Sequence, residues 1–156
     1  MKRTIKNIIC AILITTSLFP IVAQAIYESN TSADAEIIYL KNGCYITVEI
    51  TTDMQRASGT RKGNKIYVCR TSSGAEEWRA TLTGTFTYTG TSATCTAVSC
   101  STSITDASWY EVSKTTSKSG ATASGTVTMG EKFLGITINK ETVNMSLTCD
   151  ANGNLS

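Results

Sequence analysis

The chain has 156 residues, 14 basic and 12 acidic side chains, a single proline and no histidine. Without histidine there is no Ser-His-Asp or Cys-His catalysis and no histidine-ligated metal. A formal charge of +2 with no basic cluster offers no electrostatic footprint for nucleic acid.

In chain order, Met1 to Ala25 opens with Lys2, Arg3 and Lys6, continues as an apolar run from Ile8 to Val22, and closes on Ala23-Gln24-Ala25. That order predicts a secretory signal peptide cleaved after Ala25. Thr15, Thr16, Ser17 and Pro20 interrupt the run, which is short for a span needing about 20 apolar residues. Cys10 lies near its start, away from the cleavage point where a lipid-bearing cysteine would sit, so it leaves with the leader. The expected address is extracellular, free of the membrane after cleavage. Loss of the three leader cations leaves 11 basic residues against 12 acidic ones, a net charge of −1. Residues 26–35 (IYESNTSADA) are expected to form a flexible polar arm, and residues 36–156 a single domain.

From Glu36 onward the pattern has the period of two of half-buried strands. Cys44, Ile46, Val48 and Ile50 fall on one face. Asp53 to Lys65 is predicted as a turn-rich link around Ser58-Gly59 and Gly63-Asn64, which makes Arg56, Arg61, Lys62 and Lys65 a solvated turn. Ile66 to Arg70 follows as a strand, then a turn at Ser72-Ser73-Gly74. Leu82, Gly84, Phe86 and Tyr88 alternate with Thr81, Thr83, Thr85, Thr87 and Thr89. After the turn at Thr89 to Ser92, Ala93 to Ser99 is the next strand. Trp109 to Thr116 and Thr122 to Met129 flank a hairpin turn at Lys118-Ser119-Gly120. Phe133 to Ile138 and Val143 to Cys149 finish the series. About eight short strands and no helical period after the leader predict an all-β fold, an antiparallel β-sandwich of Ig-like type.

Five cysteines remain after cleavage, so at most two disulfides form and one thiol is left over. Strand parity puts Cys95 with Ala97 and Cys100 with Val98 on opposite faces, too far apart to bridge. The first expected disulfide is Cys95–Cys149, the second Cys44–Cys69, with Cys100 unpaired: a buried small hydrophobe or an intermolecular link. No C-x2-C spacing points to zinc, and no cofactor is indicated.

Among catalytic routes only a carboxylate pair or a Ser-Lys nucleophile remains, and Glu76, Glu77, Asp106, Glu111 and Asp150 show no pairing pattern. The chain is therefore read as a non-enzyme. Its candidate contact surface consists of Thr83, Thr85 and Thr87, a hydroxyl ladder suited to carbohydrate or ordered water, and of Tyr110, expected exposed beside a buried Trp109. The solvent face of a sandwich strand accounts for the same threonines.

The segments GTFTYTGTSATCTAVS, SWYEVSKTTSKSGATASGTVTM, FLGITI and SLTCDANGNLS resemble a group of small secreted proteins of Gram-positive bacteria, over about Trp78 to Ser156. The resemblance implies fold and address, with no established activity to carry over. Cys95 and Cys149 both fall inside its motifs, which supports their pairing by resemblance; Cys44, Cys69 and Cys100 lie outside them. The functional expectation is a secreted, monomeric binding or cell-surface interaction module with a protein or carbohydrate ligand. The alternatives are a pilus-like assembling subunit and a secreted toxin or inhibitor.

Overall fold

The computed structural model describes residues 36–53 and 59–156. The leader, the arm at 26–35 and Arg56 lie outside the described residues. Eight strands follow in order: β1 (Glu36–Tyr39), β2 (Tyr45–Thr52), β3 (Thr60–Arg70), β4 (Glu76–Tyr88), β5 (Ala93–Ile104), β6 (Trp109–Ser119), β7 (Thr122–Phe133) and β8 (Ile136–Thr148). They form two antiparallel sheets, β1-β2-β3-β4-β5 and β6-β7-β8. Sheet neighbours are sequence neighbours throughout, so each sheet is a meander. The sandwich and its strand count match expectation; the Greek-key connection that would make it Ig-like is not formed among the described residues.

Alternation decides which face each strand buries. On β4, Trp78, Ala80, Leu82 and Phe86 point inward, and Ile46, Val48, Tyr67 and Cys69 extend the same layer on β2 and β3. Ala123, Val127, Met129, Val143, Met145 and Leu147 face them from β7 and β8. Trp78 and Trp109 meet across the gap at one end, their rings 5.9 Å apart. Both outer faces carry rows of hydroxyl and amide side chains matched across strands. On the larger sheet Thr51, Asn64, Thr83 and Ser99 stand side by side; on the smaller, Thr128 pairs with Thr142 and Thr126 with Asn144.

The two open sides of the sandwich are treated differently. Between β5 and β6, the inward residues of β6 beyond Trp109 are polar: Thr102 donates to Glu111 at 2.5 Å, Lys114 pairs with Glu111 at 3.0 Å, and Lys118 donates to the Thr96 carbonyl. Charges turned inward on an edge strand discourage a further strand from adding there. On the other side Glu36, Ile38, Leu40 and Tyr67 face Glu141 to Asn144 across a cleft of about 310 Å³, bridged by the Tyr67 hydroxyl donating to the Asn144 carbonyl at 3.4 Å.

Two local expectations are corrected. Gly63-Asn64, read as a turn, lies inside β3 with Arg61, Lys62 and Lys65, so the link shortens to the residues before Thr60. A Cβ at Gly63 would meet the Leu155 side chain, which folds back over the strand, and the Thr51 carbonyl at 3.1 Å. Phe133 to Ile138 is not one strand: Leu134 (φ 49°) and Gly135 (φ 82°) turn the chain between β7 and β8 as a two-residue hairpin. Residues 150–156 also double back, held by an isolated bridge from Cys149 to Leu155 and by Asp150, which accepts from the Asn152 and Asn154 amides at 2.8 Å each.

Candidate functional site

Two thiol pairs occupy opposite ends of the sandwich. Cys44 precedes β2 on the face of Ile46, and Cys69 lies directly opposite Ile46 on β3. The two cysteines are therefore diagonal neighbours on one face, a relation with Cβ atoms up to about 7–8 Å apart. Glu77 sits between them. It is the extra residue of a β-bulge where β3 meets β4, and its carboxylate accepts from the Cys69 thiol at 3.6 Å. Burial first, then the Glu77 charge, pushes the Cys44 thiol up to about 11, and the same two causes raise Cys69 further. Glu77 is half-buried, and its carbonyl accepts from the Thr105 and Asp106 amides, which anchors the crossover from β5 to β6.

At the far end, the Cys95 amide donates to the Gly120 carbonyl at 2.7 Å and the Cys149 amide to the adjacent Ala121 carbonyl at 3.0 Å. Both cysteines thus clasp the same β6–β7 turn, with buried side chains. Desolvation raises both thiols, and Cys95 adds to the rise at Cys149. Each expected pair shares one end of the sandwich, but neither pair is at disulfide distance, and the five cysteines among the described residues stand as free thiols. Closing either bridge requires Cβ atoms about 3.5–4.5 Å apart.

The parity argument for Cys95 and Cys100 is corrected. Phe86 pairs with Cys95 and Thr85 with Ala97, so Thr96 is an unpaired bulge residue. A bulge resets the alternation. Cys95, Val98 and Cys100 consequently all turn toward the core, and Ala97 is exposed. Cys100, opposite Leu82, is half-buried and its thiol is raised by desolvation.

The contact-surface residues are also placed. Thr83 donates to Asn64 at 2.7 Å, Asn64 donates to Thr51 at 3.3 Å, the Thr85 carbonyl accepts from Thr96, and Thr87 is exposed. The same hydroxyl rows cover the smaller sheet, so the ladder is the general outer surface of this fold and marks no particular spot. Trp109 is buried as expected. Tyr110 is half-buried rather than free: its ring lies on Gly130, where a Cβ would approach within 2.5 Å. Its hydroxyl shares a 2.7 Å hydrogen bond with Thr137, and the Lys132 ammonium sits 4.2 Å from the ring centre.

The feature that sequence reasoning missed is the tip of the β7–β8 hairpin. Phe133, Leu134, Ile136 and Ile138 are all exposed there. The signal was present in Phe133-Leu134-Gly135-Ile136, but an unbroken apolar run reads as a buried strand. No protein-family model, curated protein or solved structure matches the chain.

Proposed function

We propose that the chain is a secreted, non-enzymatic β-sandwich that acts as a binding or cell-surface interaction module. The observation that carries this reading is the β7–β8 tip, where four large apolar side chains are held in solvent at the end of a braced scaffold. Apolar side chains concentrated at one exposed spot cost solubility and are a feature of interaction sites.

The environments of the titratable groups support the non-catalytic part. Catalytic thiols are depressed and catalytic acids raised. Here every cysteine shift is upward, and Glu76, Asp106, Glu111 and Asp150 are all lowered, each by a local hydrogen bond first. The secreted address is inferred from the order of charges, apolar run and Ala23-Gln24-Ala25 in the leader.

A second reading, an assembling subunit, is favoured by β1, a four-residue edge strand with Ile37 and Tyr39 exposed beside an open backbone edge. Sedimentation velocity over a wide concentration range separates the two. A single monomeric species at all concentrations upholds the module. Polymers that grow with concentration, or dimers linked through Cys100, overturn it.

A further inference from the structure

We propose that the β7–β8 hairpin tip is a membrane-docking element that inserts into the headgroup boundary of an anionic lipid surface. The inference rests on the interaction-module reading and names its ligand.

The tip breaks a local rule without a gain in folding. A two-residue hairpin turn with both φ angles positive favours Asn-Gly or Gly-Gly, yet here the first position is leucine, the one non-glycine residue with positive φ among those described. Leu134 is 87 % exposed, so its side chain repays none of that strain by packing. Phe133 (63 %), Ile136 (69 %) and Ile138 (58 %) are equally uncovered. Phe133 and Ile136 are cross-strand partners on the face that continues the core layer of β7, and Ile138 is the extra residue of a bulge behind them. Beyond the polar pair Glu131 and Asn139, the inner face of the hairpin thus turns apolar again and ends in solvent.

The shape and the order of chemistry select the partner. The tip is a narrow convex ribbon, two or three residues per strand beyond the body, or about 7–10 Å at 3.3 Å per residue. That matches the depth of about 5–10 Å to which interfacial elements bury their apolar side chains. Behind the apolar residues come Tyr110, Lys132 and Lys140 on the outer face, with Lys132 over the Tyr110 ring. Apolar tip first, then an aromatic hydroxyl and two cations, is the sequence met on entering an anionic leaflet. Glu131, one step behind Lys132, and Glu141, one step behind Lys140, point the other way, to the inner face and the sandwich end near Cys44, where they raise its thiol. Between residues 132 and 140 there is no acidic side chain. The expectation of a chain free of the membrane after cleavage concerns a spanning segment and a polybasic cluster; a docking hairpin needs neither.

The test is cosedimentation of the protein recovered from culture medium, its N-terminus checked by mass, with phosphatidylcholine–phosphatidylglycerol vesicles. Pure phosphatidylcholine vesicles and a lipid-free spin serve as controls. The wild-type protein should partition onto the mixed vesicles. Leu134→Asn and Phe133→Ser together should weaken partition at least about tenfold by removing buried apolar area, and Lys140→Glu about fivefold on the mixed vesicles alone. Leu134→Asn suits the turn, so its Tm should equal or exceed that of the wild type, which removes misfolding as an explanation. Wild-type protein that stays with neither vesicle, or tip variants that bind as well as wild type, overturn the proposal and leave the tip to a pocket on another protein. Failure of the module reading shows separately, as protein pelleting in the lipid-free spin.

Discussion

Gly84 stands in the middle of β4, where glycine is ordinarily a loss, and replacing it by alanine pits two effects of known size against each other. Alanine restricts the unfolded chain and should stabilise by about 0.5–1 kcal/mol. Against that, a Cβ at position 84 falls 2.6 Å from Cε2 and Cζ of Phe86 and 3.2 Å from the Cβ of Ala123. Phe86 and Ala123 are both fully buried, one on each sheet, so the ring can move only by pushing the sheets apart. Overpacking of this kind costs about 1–3 kcal/mol. The net expectation for Gly84→Ala is a loss of about 1–2 kcal/mol, a drop in Tm of roughly 5 °C for a domain this size. Gly125→Ala is the internal control: its Cβ would meet Leu82 Cδ1 at 3.0 Å and Met145 Cε at 3.4 Å, both ends of flexible side chains. There the two effects should cancel to within about 0.5 kcal/mol. Urea unfolding in reducing buffer measures both variants without interference from thiol chemistry. Gly84→Ala as stable as the wild type, or Gly125→Ala the worse of the two, would refute the reasoning.

Four further outcomes follow from contacts already described. A non-reducing peptide map should find Cys95 joined to Cys149 and Cys44 to Cys69, with Cys100 alkylatable; the longer loop contributes about 4 kcal/mol in the chain-entropy model, and any bridge to Cys100 contradicts the pairing. In the reduced protein, Cys44, at about 11, should alkylate at pH 8 about 100-fold more slowly than a free thiol, and Glu77→Gln should speed it, since the carboxylate raises the thiol. A thiol raised on folding is favoured protonated in the native state, so the reduced protein should be fully stable below pH 9 and lose stability as pH climbs to about 11; a flat Tm across that window would count against the burial of Cys44. Tyr110→Ala should uncover Gly130 and cost about 1–2 kcal/mol in thermal unfolding, whereas Tyr110→Phe, which forfeits only the Thr137 contact, should cost no more than about 1 kcal/mol.

How much of this was legible depended on whether a residue obeyed the strict period of two. β2 and β4 do, and alternation alone puts Ile46, Val48, Leu82 and Phe86 on the buried side. The bulge at Thr96 shifts the period by one residue with no local marker, because threonine fits a strand and a bulge equally well. That single residue turned Cys95 and Cys100 to the same face against expectation. Gly63 was taken for a turn because its partner, the Leu155 side chain, lies 92 positions away and only the fold brings it overhead. Tyr110 presents the same problem: what covers its ring is a glycine on the next strand. The hairpin at Leu134-Gly135 was hidden by its own chemistry, since leucine is the wrong residue for the turn it makes. That misfit is also what singled the tip out once the structure was known.

A meander orders events in time as well as in space. A chain delivered from its N-terminus completes β1 to β5 while β6, β7 and β8 are still to come, so the larger sheet waits with its inner face bare. Cys44 and Cys69 arrive in adjacent strands and can meet early. Cys95, with Cys100 turned to the same side by the bulge, is delivered well before Cys149, the partner proposed for it. During that interval its nearest available sulfur partners are the wrong ones. Leu155 settling over Gly63 therefore acts as a latch: it couples the segment after β8 to the first sheet formed, and the latch closes only once that segment has been delivered.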